Sequence, residues 1–154
     1  MSSNPLSLNL CGVALQNPVI AASGTFGFGR EYAERMDVSR LGGISGKGLT
    51  LRGSAGNRGE RICETPSGLL NSIGLENPGV KHFVEHEAAY LRSLGPAVLC
   101  NLGGHCEEDY LEGASLLNEA DIDFLELNIS CPNVKAGGMA FGLLPDTAAE
   151  ITKK

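Results

Sequence analysis

At 154 residues the chain has the length of one ordinary domain and can bury a sizeable core. Its net charge of −6 excludes the broad basic footprint of a nucleic-acid-binding protein, and its apolar runs are too short to cross a bilayer. The 21 glycines cluster at the ends of apolar runs, as expected where backbone approaches a ligand.

Residues 6–15 alternate at period two on either side of Gly12 and predict a small hairpin, which Asn17-Pro18 ends. Residues 19–23 form a short apolar strand closed by the glycines at 24, 27 and 29, and residues 31–36 a short helix. Residues 41–49 read as a second buried strand with one charge, Lys47, near its C-terminal end. A charge there needs a partner or a ligand, or snorkels to the surface. It is not a Walker lysine, because Leu41 and Gly48 stand where that motif needs glycine and a hydroxyl.

Residues 52–72 are long for a plain connection and are expected to be functional or to carry a small hairpin. Turn chemistry follows from Asn71 to Gly79, and residues 78–94 have a helical pattern with Pro78 in the first turn. Residues 96–102 form a third buried strand ending at Asn101, and residues 107–119 a helix with acids in its first turn. Residues 122–129 form a fourth strand, and Pro145 opens a last helix. Strands alternating with helices demand a parallel sheet, and polar residues recur at the strand C-termini: Ser23, Lys47, Asn101 and Asn128. Both a (β/α)8 barrel and an open doubly wound sheet put ligands at such ends. The dinucleotide fingerprint of the latter is absent, since the glycines run G-x-x-G-x-G.

Five cysteines, at 11, 63, 100, 106 and 131, form an odd set without a Cys-x-x-Cys pair. With no apolar leader after Met1, they predict a reduced, cytoplasmic protein. Cys100, His105 and Cys106 lack the fourth partner of a zinc site, so no metal is expected. Cys131 lies at the C-terminal lip of the fourth strand between Asn128 and Asn133, before Pro132 and the pair Gly137-Gly138. A thiol there can serve as base or nucleophile, with two amides to orient a planar polar ligand; the alternative is a buried, inert cysteine beside a turn.

Four stretches carry a family resemblance. They are Asn-Pro-Val-Ile-Ala-Ala-Ser-Gly-Thr-Phe-Gly-Phe-Gly from Asn17, Gly-Lys-Gly-Leu-Thr from Gly46, Glu-Thr-Pro-Ser-Gly-Leu-Leu-Asn-Ser-Ile-Gly-Leu-Glu-Asn-Pro-Gly from Glu64, and Asn-Ile-Ser-Cys-Pro-Asn-Val-Lys from Asn128. In this order they resemble dihydroorotate dehydrogenase. Cysteine at 131, where the membrane-bound class has serine, resembles the soluble class 1. Val134-Lys135, Gly137-Gly138 and Phe141-Gly142 resemble the NAD-linked type 1B catalytic subunit.

The resemblance implies a TIM (β/α)8 barrel holding FMN, of which residues 1–154 would supply about the first four β/α units behind an N-terminal hairpin. A whole barrel takes about 250 residues. It implies oxidation of dihydroorotate, with FAD and a [2Fe-2S] cluster on a partner subunit in a homo-oligomer or heterotetramer. Cys131 would be the catalytic base. Ser23, Lys47, Gly48, Asn101 and Asn128 would contact FMN. Lys47, Asn71, Ser72, Ile73, Gly74, Leu75, Asn128 and Asn133 would contact substrate. A thiol of ordinary pKa about 8.5 needs its thiolate favoured to act near neutrality. The alternatives are a dihydropyrimidine dehydrogenase-like flavoenzyme and a non-catalytic half-barrel.

Overall fold

The structure is a computed structural model that describes residues 4–129 and 142–154. The chain opens with an antiparallel hairpin, β1 (Leu8–Leu10) and β2 (Val13–Leu15). Its two-residue turn needs positive φ at both positions; Cys11 and Gly12 have φ of 49° and 91°, and Asn9 Oδ1 accepts from the Gly12 amide at 2.9 Å.

Next come β3 (Ile20–Ala21), α1 (Arg30–Ala33), a 3-10 turn (Val38–Arg40) and β4 (Gly43–Ser45). Both ladders are shorter than the apolar runs that contain them. β3 covers only Ile20–Ala21 of the run at 19–23, and before it Asn17 packs against Gly42, where an added Cβ would lie 1.8 Å from the Asn17 carbonyl oxygen. The second run leaves the ladder where the Lys47 amide turns to donate to the Gly27 carbonyl at 3.0 Å; Leu49 then rejoins, donating to Asn101 O at 2.8 Å.

The long connection contains a hairpin, β5 (Ile62–Thr65) and β6 (Gly68–Asn71), exposed along both strands. A helical stretch follows: α2 (Val80–His82), a π-helical turn (Phe83–Glu87) and α3 (Ala88–Ser93). Then come β7 (Ala97–Gly103), α4 (Glu107–Leu117), β8 (Phe124–Asn128) and α5 (Pro145–Lys153).

β3, β4, β7 and β8 form one parallel sheet whose spatial order follows the chain order. A doubly wound sheet would reverse direction at a switch point; this one does not. It is an arc of the kind a β/α barrel is made from.

Alternation along the strands separates two faces. Ile44, Val98, Cys100 and Leu102 point toward the helices and form the core with Phe83, Leu91, Tyr110 and Leu117. Ser45, Asn101, Glu126 and Asn128 lie on the other face; Asn101 pairs with Glu126, while Ser45 and Asn128 stand one step along the same face on either side. At the N-terminal side of the sheet, Asp123 Oδ2 accepts from Arg92 Nη1 at 2.9 Å and from the Val98 amide at 2.7 Å, fastening α3 to the starts of β7 and β8.

Candidate active site

The polar residues of the inner face meet at the C-terminal ends of the strands. Ser45 Oγ donates to Glu126 Oε2 at 3.0 Å, and Asn101 Nδ2 donates to Glu126 Oε1. Asn128 Nδ2 donates to Asn101 Oδ1 at 3.2 Å. Three adjacent strands are thereby joined by one chain of side chains. The Tyr110 hydroxyl donates to the Asn128 carbonyl at 2.7 Å and holds that strand end from the helix side.

Gly48 is buried against this chain, and Leu75 Cδ1 would stand 3.2 Å from a Cβ placed there. Ser23 reaches the same rim and donates through Oγ to the Gly46 carbonyl at 3.1 Å. Lys47 is half-buried and lines a cavity of about 490 Å³ with Ser54, Ile73, Glu76 and Asn77. Its ammonium has no carboxylate partner among the described residues, since Glu76 is taken by Arg61 at 2.7 Å. With that carboxylate engaged, the Lys47 ammonium is available to an anionic or carbonyl-bearing ligand.

The segment after β6 is shaped by two asparagines. Asn57 Nδ2 donates to Ser72 O at 2.9 Å and Ser72 Oγ at 3.0 Å, while its amide donates to Ile73 O at 2.9 Å. Asn77 is buried; its Oδ1 accepts from the Thr50 and Gly79 amides at 2.9 and 3.0 Å, and its Nδ2 donates to Leu75 O at 2.8 Å. Gly74 and Leu75 both take positive φ, 76° and 52°, and a Cβ at Gly74 would lie 2.7 Å from Asn57.

Of the residues expected to form a site, Ser23, Lys47, Gly48, Ile73, Leu75, Asn101 and Asn128 gather along this rim. Gly74 sits in the turn that delivers Leu75. Asn71 and Ser72 stand at the exposed exit of the β5–β6 hairpin, next to Ile73. Cys131 and Asn133 lie outside the described residues. Ser45, Asn77 and Glu126 complete the arrangement without having been singled out from sequence. Glu126 was within reach of the period-two pattern, which puts it on one face with Asn128; Asn77 was hidden in turn chemistry.

Cys100 takes no part in the rim. It packs into the core behind β7, where burial, and then the Glu126 carboxylate, push its thiol up to about 12. Cys106 is exposed and starts α4.

A parallel sheet in chain order, with polar side chains gathered at the strand C-termini, is the arrangement of a β/α-barrel type of protein. The family model for dihydroorotate dehydrogenase matches residues 5–154, and the chain belongs to that family. It is 51% identical over 144 residues to the dihydroorotate dehydrogenase B (NAD(+)) catalytic subunit of Petrotoga mobilis, covering 94% of this chain and 48% of that protein. The subunit of the same name from Alkaliphilus metalliredigens is 48% identical over 153 residues, 99% of this chain and 51% of its own. The chain thus spans about half the length of these relatives. A crystal structure of DHODH from Eimeria tenella in complex with ferulenol matches with a TM-score of 0.69 at 21% identity, over 96% of this chain and 42% of that one, and shares the fold.

Proposed function

We propose that the chain supplies the first four β/α units of an FMN-binding (β/α)8 barrel, and that the whole enzyme oxidises (S)-dihydroorotate to orotate in pyrimidine biosynthesis. The observation that carries this reading is the Lys47 ammonium, which lines a cavity with Ile73 and has no carboxylate partner among the described residues, next in the chain to Gly48, which packs against Leu75 and Asn101. Its support is a chain about half identical to catalytic subunits named for that reaction.

The donor set fits FMN. The polar edge of a flavin alternates carbonyl and N–H groups, which carboxamides and an ammonium match. Gly48 presents bare backbone beside Asn101, as close approach of a flat ring requires. Ser23, Lys47, Gly48, Asn101 and Asn128 would hold the ring. When bound, FMN supplies the acceptor for the hydride leaving C6 of dihydroorotate.

The protein's part is binding and proton transfer. Cys131 takes the proton from C5 as general base. Lys47 faces both ring and substrate. Asn71, Ser72, Ile73, Gly74 and Leu75 hold the substrate carboxylate and ring amides, and Asn128 and Asn133 complete the contacts. A partner subunit carrying FAD and a [2Fe-2S] cluster delivers the electrons to NAD, in a cytoplasmic homo-oligomer or heterotetramer.

The test uses the complete FMN-loaded enzyme under anaerobic conditions. Dihydroorotate is expected to bleach the flavin band and dihydrouracil to leave it. Bleaching by dihydrouracil alone would move the enzyme to dihydropyrimidine chemistry.

A further inference from the structure

We propose that Glu126 is a positioning residue that fixes which end of the Asn128 carboxamide meets the substrate, a role that rests on the functional reading above. An ionised carboxylate only accepts hydrogen bonds, whereas a carboxamide has one accepting and one donating end. Glu126 takes its two bonds from neutral donors, Ser45 Oγ and Asn101 Nδ2, and has no basic partner among the described residues. Its acceptor-only character obliges Asn101 to turn its NH2 group toward β8. The Asn101 oxygen then faces Asn128 and obliges that residue in turn to offer its NH2 at 3.2 Å. Asn128 Oδ1 is left without a donor among the described residues, while Tyr110 holds the Asn128 main chain from behind. The outcome of this two-amide relay is an acceptor, not a donor, presented at the rim. It selects a ring N–H of dihydroorotate or orotate.

Ser45 lies at the end of β4, Asn101 on β7, and Glu126 and Asn128 on β8, so the register of three strands enters the relay. Gly48 adds a steric condition, because the carboxamide of Asn101 lies where a side chain at 48 would be. A glutamine at 126 would keep the shape of the relay and remove its direction. It can show either end to Asn101, and Asn128 then turns its NH2 toward the ligand N–H in part of the population.

The experiment measures orotate, 1-methylorotate and 3-methylorotate binding to the complete FMN-loaded enzyme through perturbation of the flavin spectrum, with thermal unfolding of each variant alongside. E126Q is expected to fold with its flavin and to bind orotate about tenfold more weakly. The parental penalty for methylating the ring nitrogen that faces Asn128 is expected to shrink in E126Q, because the N–H it removes is no longer well read. E126D keeps an acceptor-only group and is expected to keep the parental ratio between orotate and its methyl derivatives. Parental affinity and ratio in E126Q, or an E126Q-like ratio in E126D, would overturn the relay. A parental enzyme whose flavin spectrum ignores orotate would instead overturn the functional reading beneath it.

Discussion

Gly48 and Asn101 meet so closely that a Cβ on residue 48 would stand 2.9 Å from Asn101 Oδ1. The contact cannot relax freely, because the same oxygen accepts from Asn128 and the amide nitrogen beside it donates to Glu126. In the complete enzyme, Gly48→Ala is expected to cost about 1–3 kcal/mol of stability as an overpacked site. It should also lower the FMN content. Denaturant unfolding reads the first effect and the flavin-to-protein absorbance ratio the second. A fully flavinated variant of parental stability would show that Asn101 can yield.

Cys131 is the proposed base, whereas Cys100 is buried in the core. Replacing a general base typically removes 10²–10⁴-fold in rate, that is about a hundredfold or more. Cys131→Ala in the full-length enzyme is therefore expected to lose most of its turnover while retaining flavin. Stopped-flow reduction by dihydroorotate measures this, and near-parental reduction would remove Cys131 from the mechanism.

Cys100 carries a pH signature of the opposite kind. Its folded thiol is held up at about 12, above the ordinary thiol value of 9.0, chiefly by burial. In the unfolded chain it ionises earlier, so the unfolded state binds fewer protons between these values. Stability from this group is intact below pH 9 and is expected to fall as pH rises toward 12, by at most about 1.4 kcal/mol per pH unit. Urea unfolding at pH 8 and pH 10.5, compared between the parent and Cys100→Ala, isolates the effect. An identical pH slope in the two proteins would contradict it. The same thiol should resist iodoacetamide in the folded enzyme.

Asn77 lines the same cavity as Lys47 and fixes the turn that ends at Leu75. Its side chain satisfies the Thr50 and Gly79 amides and reaches the Leu75 carbonyl. Asn77→Ala leaves those buried groups unpaired and is expected to cost about 1–3 kcal/mol. It should raise KM for dihydroorotate more than it lowers kcat. Asn77→Asp keeps both acceptor contacts and should be the milder change in steady-state kinetics. Equal effects would deny Asn77 its part in shaping the 71–75 turn.

Much of this architecture is legible before any coordinates. The apolar run around Val98 and Cys100 marks β7 because a strand covered on both faces has no polar alternation. Asn101 stands out within it for that reason. The alternation of Leu125, Glu126, Leu127 and Asn128 likewise marks β8. Hydrophobicity reports burial, however, and not ladder length. The run at 41–49 stays buried at Gly42 and Gly46 although both lie beyond β4, and their amides donate to Val19 O and Leu99 O. The partnership of Ser45 with Glu126 depends on the register of β4 against β7 and β7 against β8, which local patterns do not contain. Asn77 is concealed for a different reason: an asparagine before proline looks like an ordinary turn, and only tertiary contact with Thr50 distinguishes it.

The strand order of the central sheet has a kinetic consequence. Each strand docks on the one made just before it, so every ladder closes over a single intervening crossover and the chain's contacts stay local for a parallel fold. The β5–β6 hairpin lengthens the β4–β7 crossover, but closure entropy grows only with the logarithm of loop length. Nascent units can therefore accrete from the N-terminus during synthesis, each presenting a finished edge to the next.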